Sequence, residues 1–313
     1  MGGNLFSRVF GNIKKRFYEE MNVKLAGNED YNVYEIENLP ANISDADFLK
    51  LCYEPNMPKV FRGAAKDWPA IKKWGLDFFE KEHGHKVVEL LAIQGLAPGQ
   101  QYETMTLADY IKEVRKGTRK YLKFSDIVNF DDNLKADFDL KWLRKMTALP
   151  LSWGEDLKTF MGVGGTLTPL HIGFSPVLFI QVTGQKKWHF YPSTDRMFLN
   201  ARTERASYMF SDADPYKKDD PNFPLLKYAK HYEIILNPGD VLWFPSFTWH
   251  QVENITPSIG IRYGRGSFGC AWKSSKLLTI LFFLVTKPSL PEHLYNSYIK
   301  KKLVVKDIKP NTA

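Results

Sequence analysis

The sequence predicts a mainly β protein, an antiparallel sandwich or jelly roll with helical flanks, on three observations. From Lys158 to Gly264 short β-branched and aromatic segments follow one another: KTFMGVGG, PVLFIQVT, KKWHFY, HYEIIL, VLWF, WHQVENI and SIGIRY. Tight glycine turns join some of them, at Thr183-Gly184-Gln185 and Pro238-Gly239-Asp240. On both sides of this region the pattern turns mixed or helical. The chain has 313 residues, 44% of them hydrophobic and 14% aromatic, which excludes disorder, collagen and coiled coil and allows a large, ring-rich core.

In chain order, Leu5, Val9, Phe10, Ile13 and Phe17, with Arg8, Lys14, Lys15 and Arg16 between them, predict a basic amphipathic helix. It suits either an anionic lipid surface or packing on its own domain. SDADFLKLCY predicts a helix from Ser44, because Ser44 caps, Asp45 and Asp47 suit the positive end of the helix dipole, and Phe48 and Leu51 share a face. A strand near Lys59–Arg62 and helices through Leu76–Glu82 and Leu107–Val114 complete the N-terminal mixed α/β flank. After the strands, Ala271 to Leu303 reads as helical, broken by Pro288 and Pro291. No repeat or flexible linker divides the chain, which reads as one unit: an N-terminal helical extension over 1–34, a flanking region over 35–150, a β core over 151–268 and C-terminal helices over 269–313.

Lys and Arg exceed Asp and Glu by 43 to 35, a formal charge of +8, which by itself selects no partner. Cys52 and Cys270 are too few for a disulfide framework or a four-thiolate zinc site and suggest a reducing, cytoplasmic setting, so any metal rests on His and carboxylate. The N-terminus lacks the apolar run of a signal peptide, and Phe6 stands where a myristoylation signal needs Ser or Thr. Leu277 to Val285 is apolar but far shorter than the roughly 20 residues of a membrane span. It reads as a buried helix or one that forms a homodimer.

The segments GTLTPLHIGFSPVLFIQVTGQKKWHFYP (165–192) and NPGDVLWFPSFTWHQVENITPSIGIRYG (237–264) resemble the two signature blocks of the cupin-like JmjC family of iron(II)- and 2-oxoglutarate-dependent oxygenases, and PKVFRGAAKDWPAIKKW (58–74) resembles the family's entry segment. The resemblance covers most of residues 35 to 268. It implies a double-stranded β-helix of the cupin or jelly-roll kind. It also implies Fe(II) held by His171 and His250, and 2-oxoglutarate held by Thr168, Lys186 and Tyr121. A buried dicarboxylate needs a fixed cation and hydroxyl donors, which is what these three side chains would supply. The other five histidines do not fit the pattern: His83 and His85 in a charged loop, His189 and His231 on other strands, and His293 in the tail.

One position departs from the family. Two residues past His171, where the family has its metal-binding carboxylate, stands Gly173. Non-haem iron halogenases are similar in having His-x-Gly or His-x-Ala there, with chloride or bromide in the emptied position. Three readings stand: a halide fills the place and is transferred to an unactivated carbon, water fills it in a hydroxylase, or the barrel has become a silent binding module. Retention of the apparent 2-oxoglutarate residues favours an enzyme. Glu253 and Asp195 do not obviously replace the carboxylate. Arg262, where the family often has Asn, holds an anion if it faces the site and solvates the sheet if it faces out. Val177 makes the pocket more apolar.

The segment from Asn200 to Lys230, with Tyr208, Phe210, Tyr216 and Phe223 among charges, reads either as a source of substrate contacts at the barrel mouth or as a solvated connector. A basic, aromatic surface suits a small-molecule, lipid or carrier-bound substrate, and no nucleic-acid-binding motif is present.

Overall fold

Two sheets lie face to face in the computed structural model, which describes residues 5–92, 102–205 and 208–285, together with Tyr295. The strands are β1 (Val33–Glu35), β2 (Lys59–Phe61), β3 (Val87–Leu91), β4 (Tyr102–Thr106), β5 (Leu122–Ser125), β6 (Ser152–Gly162), β7 (Leu167–His171), β8 (Val177–Thr183), β9 (Lys186–Tyr191), β10 (Arg202–Arg205), β11 (Tyr208–Phe210), β12 (His231–Leu236), β13 (Val241–Phe244), β14 (Trp249–Asn254) and β15 (Ser258–Ser267). One sheet has the order β1-β12-β9-β14-β7-β11-β10 and the other β2-β13-β8-β15-β6-β5, while β3 and β4 form a separate hairpin. All pairings are antiparallel except β1 with β12. This is the jelly-roll core with helical flanks that the sequence predicts.

The helices are α1 (Leu5–Leu25), α2 (Asp45–Phe48, continuing as a π turn over Leu49–Tyr53), α3 (Pro69–Lys73), α4 (Leu76–His83), α5 (Leu107–Arg115), α6 (Asp132–Lys135), α7 (Leu140–Lys145), α8 (Phe268–Ser274) and α9 (Lys276–Val285). Ser44 caps α2 by accepting the Asp47 N–H at 3.1 Å, as its sequence predicts. Thr106 caps α5, whose Leu107, Tyr110, Ile111 and Val114 fall on one buried face.

Strand alternation sorts side chains into two layers. On β8 and β15, Leu178, Ile180, Ile259, Ile261 and Tyr263 turn outward onto the N-terminal helices, where they pack with Phe48, Trp74, Phe79 and Tyr110. The alternate residues Val177 and Phe179 turn inward and meet Trp188, Phe190 and Phe244 between the sheets. A third cluster, with Phe174, Phe247 and Trp249, packs beneath α8 and α9. The β8–β9 turn links the two sheets through Gly184, which has φ +66° and where a Cβ would sit 2.1 Å from the Pro257 carbonyl oxygen.

Several expectations shift. LTPLH, which the composition does not mark as a strand, is β7 and carries His171 at its end. The segment after Asn200 is not a simple connector, because β10 and β11 extend the sheet beyond β7. The C-terminal helices break at Ser275, while Pro288, Pro291 and His293 lie outside the described residues. α9 is buried on one face through Leu278, Thr279 and Phe283 and exposed at Leu277, Ile280, Leu281 and Leu284. His83 ends α4 rather than lying in a loop. The N-terminal helix is present, with Ile13 exposed and Phe17 half-buried; the side chains of Leu5, Val9 and Phe10 lie outside the described set. No described helix is long and apolar enough to cross a membrane.

The layering has a measurable consequence. Ile261 is fully buried between the six-stranded sheet and the helices, whereas Ile235 on β12 is 42% exposed. Ile261→Ala should cost about 2–5 kcal/mol of unfolding free energy. Ile235→Ala should stay within about 0.5 kcal/mol. Urea denaturation of the two variants checks the contrast.

Candidate functional site

β7 and β14 run antiparallel, and their register sets His171 opposite His250. The imidazole centroids lie 4.2 Å apart. A register shift between His250 and Val252 lets β7 advance an extra residue, so that Thr168, opposite Val252, faces the same interior as His171. The Nδ1 of His171 lies 2.8 Å from the Pro169 carbonyl oxygen, and that of His250 lies 2.9 Å from the Thr248 carbonyl oxygen. Only a protonated Nδ1 can donate to a carbonyl, so each ring carries its lone pair on Nε2. This is the orientation that metal-binding histidines require. Burial pushes the His250 imidazole down to about 4, and burial together with the neighbouring His250 holds His171 well below the ordinary range. Both rings are therefore neutral at physiological pH.

Alternation on β9 turns Lys186 inward with Trp188 and Phe190. The Lys186 side chain is fully buried, and among the described residues no carboxylate pairs with it. Its ammonium donates to Asn254 Oδ1 and lies 5.7 Å from the Tyr121 ring centroid and 5.9 Å from that of Phe179. Burial pushes it down to about 7. Burial raises the Tyr121 hydroxyl, which is hydrogen-bonded to Thr168. The structure thus gathers Thr168, Lys186 and Tyr121 from three strand regions into one pocket beside the two histidines. Gly260 makes room for it, since a Cβ there would press on Phe179 at 2.4 Å and approach Lys186 Cε at 3.3 Å.

The pocket is rich in unsatisfied donors. Asn254 Nδ2 and Trp188 Nε1 are buried without a hydrogen-bond partner. With Lys186 and the two hydroxyls they make a buried polar cluster that offers hydrogen bonds and accepts few. A buried anion with several acceptor oxygens satisfies such a cluster. The residues present therefore fit a dicarboxylate, and the two tautomer-locked imidazoles fit a transition metal of the iron class.

Gly173 follows β7, with its carbonyl oxygen accepting the Phe247 N–H at 2.8 Å. A Cβ built on it meets no atom within 4 Å. No Asp, Glu or Cys among the described residues joins His171 and His250 as a third donor. Glu253, opposite Lys187, faces away from the interior, and Asp195 accepts the Lys230 N–H at 2.9 Å elsewhere. Neither replaces the carboxylate.

Arg262 faces inward, two residues from Gly260 on the same side of β15, and its charge reaches His250. Its guanidinium lies over Gly264 and is already engaged, with Nη1 donating to Asp156 Oδ1 at 2.7 Å. Lys123 is an additional cation that the sequence did not single out. It lies two residues past Tyr121 on the same face of β5, its charge reaches both histidines, and burial pushes it down to about 8. Simple alternation from Tyr121 and from His250 would have found Lys123 and Asn254. Of the aromatic residues after Asn200, Phe210 pairs with His171 and stacks near it at 6.3 Å, Phe223 packs in the third cluster, and Tyr216 sits on the opposite face of the sheet. The Tyr208 side chain lies outside the described set.

A profile of the cupin-like domain matches residues 45–263. The chain is 26% identical over 225 residues to HSPB1-associated protein 1 of Homo sapiens, covering 64% of this chain and 46% of that protein. It is 24% identical over 226 residues to Jumonji C domain-containing protein 5 of Drosophila melanogaster, covering 69% and 56%. It is 25% identical over 234 residues to lysine-specific demethylase JMJ30 of Arabidopsis thaliana, covering 71% and 53%. The chain spans about half the length of the curated relatives it matches.

Lys186 gives the site a pH signature. Its folded value of about 7 lies below the unfolded value near 10.4, so between these limits the unfolded chain holds more protons. The stability of the ligand-free protein should rise with pH across that window, by up to about 1.4 kcal/mol per unit from this group. Lys186→Met should remove that part of the rise and stabilise the protein at pH 7. Denaturation midpoints from pH 6 to 10 for both proteins test the sign.

Proposed function

The chain belongs to the cupin-like domain family, and from that premise we propose that it is an Fe(II)- and 2-oxoglutarate-dependent oxidative enzyme. The observation that carries the reading is the buried Lys186 ammonium, without a carboxylate partner among the described residues, beside two histidines with their lone pairs on Nε2. His171 and His250 would hold the metal. Lys186, Thr168, Tyr121 and Asn254 would bind a carboxylate of 2-oxoglutarate, its charge restoring the full ammonium on Lys186. Iron bound there would supply the oxidising power, with dioxygen as the oxidant: oxidative decarboxylation of 2-oxoglutarate to succinate and CO2 would be coupled to attack on an unactivated carbon–hydrogen bond.

The finer proposal concerns Gly173. The open space at its α-carbon, with the charges of Lys123 and Arg262 reaching His250, suits an anion in place of the family's carboxylate. Chloride or bromide there, delivered to the substrate carbon, makes the protein a halogenase. A second reading has one observation in its favour. Asp156 already neutralises Arg262, which weakens the pull on an anion and leaves water to fill the space in a hydroxylase. The relatives named as demethylases support oxygenase chemistry of this kind.

Anaerobic titration with Fe(II) and 2-oxoglutarate, followed by the visible charge-transfer band, should show a band that shifts when chloride is added. A band indifferent to chloride leaves the hydroxylase, and no band at all leaves a silent binding module. Gly173→Asp, which has room for its side chain, should abolish halide incorporation; chlorination that survives it refutes the halide position. Affinity for 2-oxoglutarate should fall about tenfold per pH unit above 7, because binding must reprotonate Lys186. Calorimetry in buffers of different ionisation enthalpy reads that proton uptake directly.

A further inference from the structure

Opposite the pocket, the outer face of the same strands carries a second group of potential ligands. On β9 the residues Lys187, His189 and Tyr191 point away from the interior, and the register sets His189 opposite Glu233 on β12. His189 Nδ1 lies 2.9 Å from His231 Nε2 and 3.8 Å from a Glu233 carboxylate oxygen. One donor atom from each of the three residues falls within 4.8 Å of the others, the only such His, Cys, Asp or Glu group among the described residues.

Both imidazoles are buried, His189 fully and His231 to 2% exposure, and hydrogen bonds satisfy their ring nitrogens only in part. His231 Nδ1 has no partner. Burial pushes His189 down to about 4 and His231 down to about 3, so both rings are neutral and have a lone pair to offer. His189 Nε2 lies 3.1 Å from the Tyr216 hydroxyl, an outer partner that fixes the ring with Nδ1 toward the cluster. The Glu233 side chain is 35% exposed and gives the cluster an opening to solvent. Lys187 pairs with it at 3.0 Å and rests over the Tyr216 ring.

We propose that His189, His231 and Glu233 form a second divalent-metal site, separate from the His171–His250 pair and lying on the opposite face of β9. Two imidazoles and one carboxylate suit a borderline cation such as zinc, with water completing the tetrahedron. A tetrahedral ligand set places donor atoms about 3.3 Å apart for bonds of about 2.0–2.1 Å, and the two separations at His189 Nδ1, 2.9 and 3.8 Å, fall on either side of that value. Small side-chain shifts suffice to close it. Bound metal replaces the His189–His231 hydrogen bond, displaces Lys187 from Glu233 and clamps β9 to β12. The site acts as a staple on the strand that carries Lys186.

Zinc titration of the full chain by chelator competition tests the site, with His250→Gln, Glu233→Gln and Lys187→Met alongside. One zinc equivalent should survive His250→Gln and ignore 2-oxoglutarate. Glu233→Gln, at a half-buried position where the amide keeps the shape, should weaken that equivalent at least tenfold. Lys187→Met should tighten it, because it removes the competing ammonium, a gain that a purely structural role for the cluster would not produce. Loss of all zinc binding in His250→Gln, or affinity unmoved by both Glu233→Gln and Lys187→Met, overturns the proposal. Failure of the iron reading looks different: the wild-type chain would then keep only the equivalent that ignores 2-oxoglutarate.

Discussion

The alternation of side chains along β9 is the constraint on which the rest depends. Lys186, Trp188 and Phe190 enter the interior, while Lys187, His189 and Tyr191 leave it. A slip of one residue would exchange the two sets, burying Lys187 and exposing Trp188. The register is held on both sides, by β12 through Leu236 opposite Lys186 and by β14 through Asn254 opposite Lys186. The β8–β9 turn adds a third hold, since Gly184 fits closely against Pro257. Aromatic faces and the Asn254 oxygen surround the buried amine without neutralising its charge, so an anionic ligand is what would hold it fully protonated.

How much was legible from the sequence follows from which physical signals are local. The strands rich in β-branched and aromatic residues announce themselves, and the capped helices do so through Ser44 and the charges after it. β7 stays hidden because Pro169 and two polar residues dilute its composition, although it carries His171. β10 and β11 stay hidden among charges, because the pairing of β11 with β7 that anchors them is a tertiary fact. The roles of Thr168, Lys186 and Tyr121 came from resemblance; that they share one pocket with the histidines is visible only in the fold.

Arg262 shows the limit most clearly. Its inward direction depends on the register of β15, and its partner Asp156 lies across the sheet on β6. No spacing in the chain links the two. The lack of a carboxylate two residues past His171, by contrast, is readable at Gly173 from one residue, and the structure adds what a single letter cannot: open space at that α-carbon and two cations whose charge reaches a neighbouring imidazole.

The parallel pairing of β1 with β12 sets Val33 beside His231, and β2 meets β13 through Lys59 and Trp243. Both early strands thus take their places only against segments that lie far later in the chain. Contacts so distant along the chain carry a large loop-closure cost and slow folding. As the chain leaves the ribosome, the apolar faces of the N-terminal helices, Phe48 and Phe79 among them, wait uncovered until the strands they pack against have emerged. The sheet order therefore leaves those apolar faces dependent on distant strands for their cover.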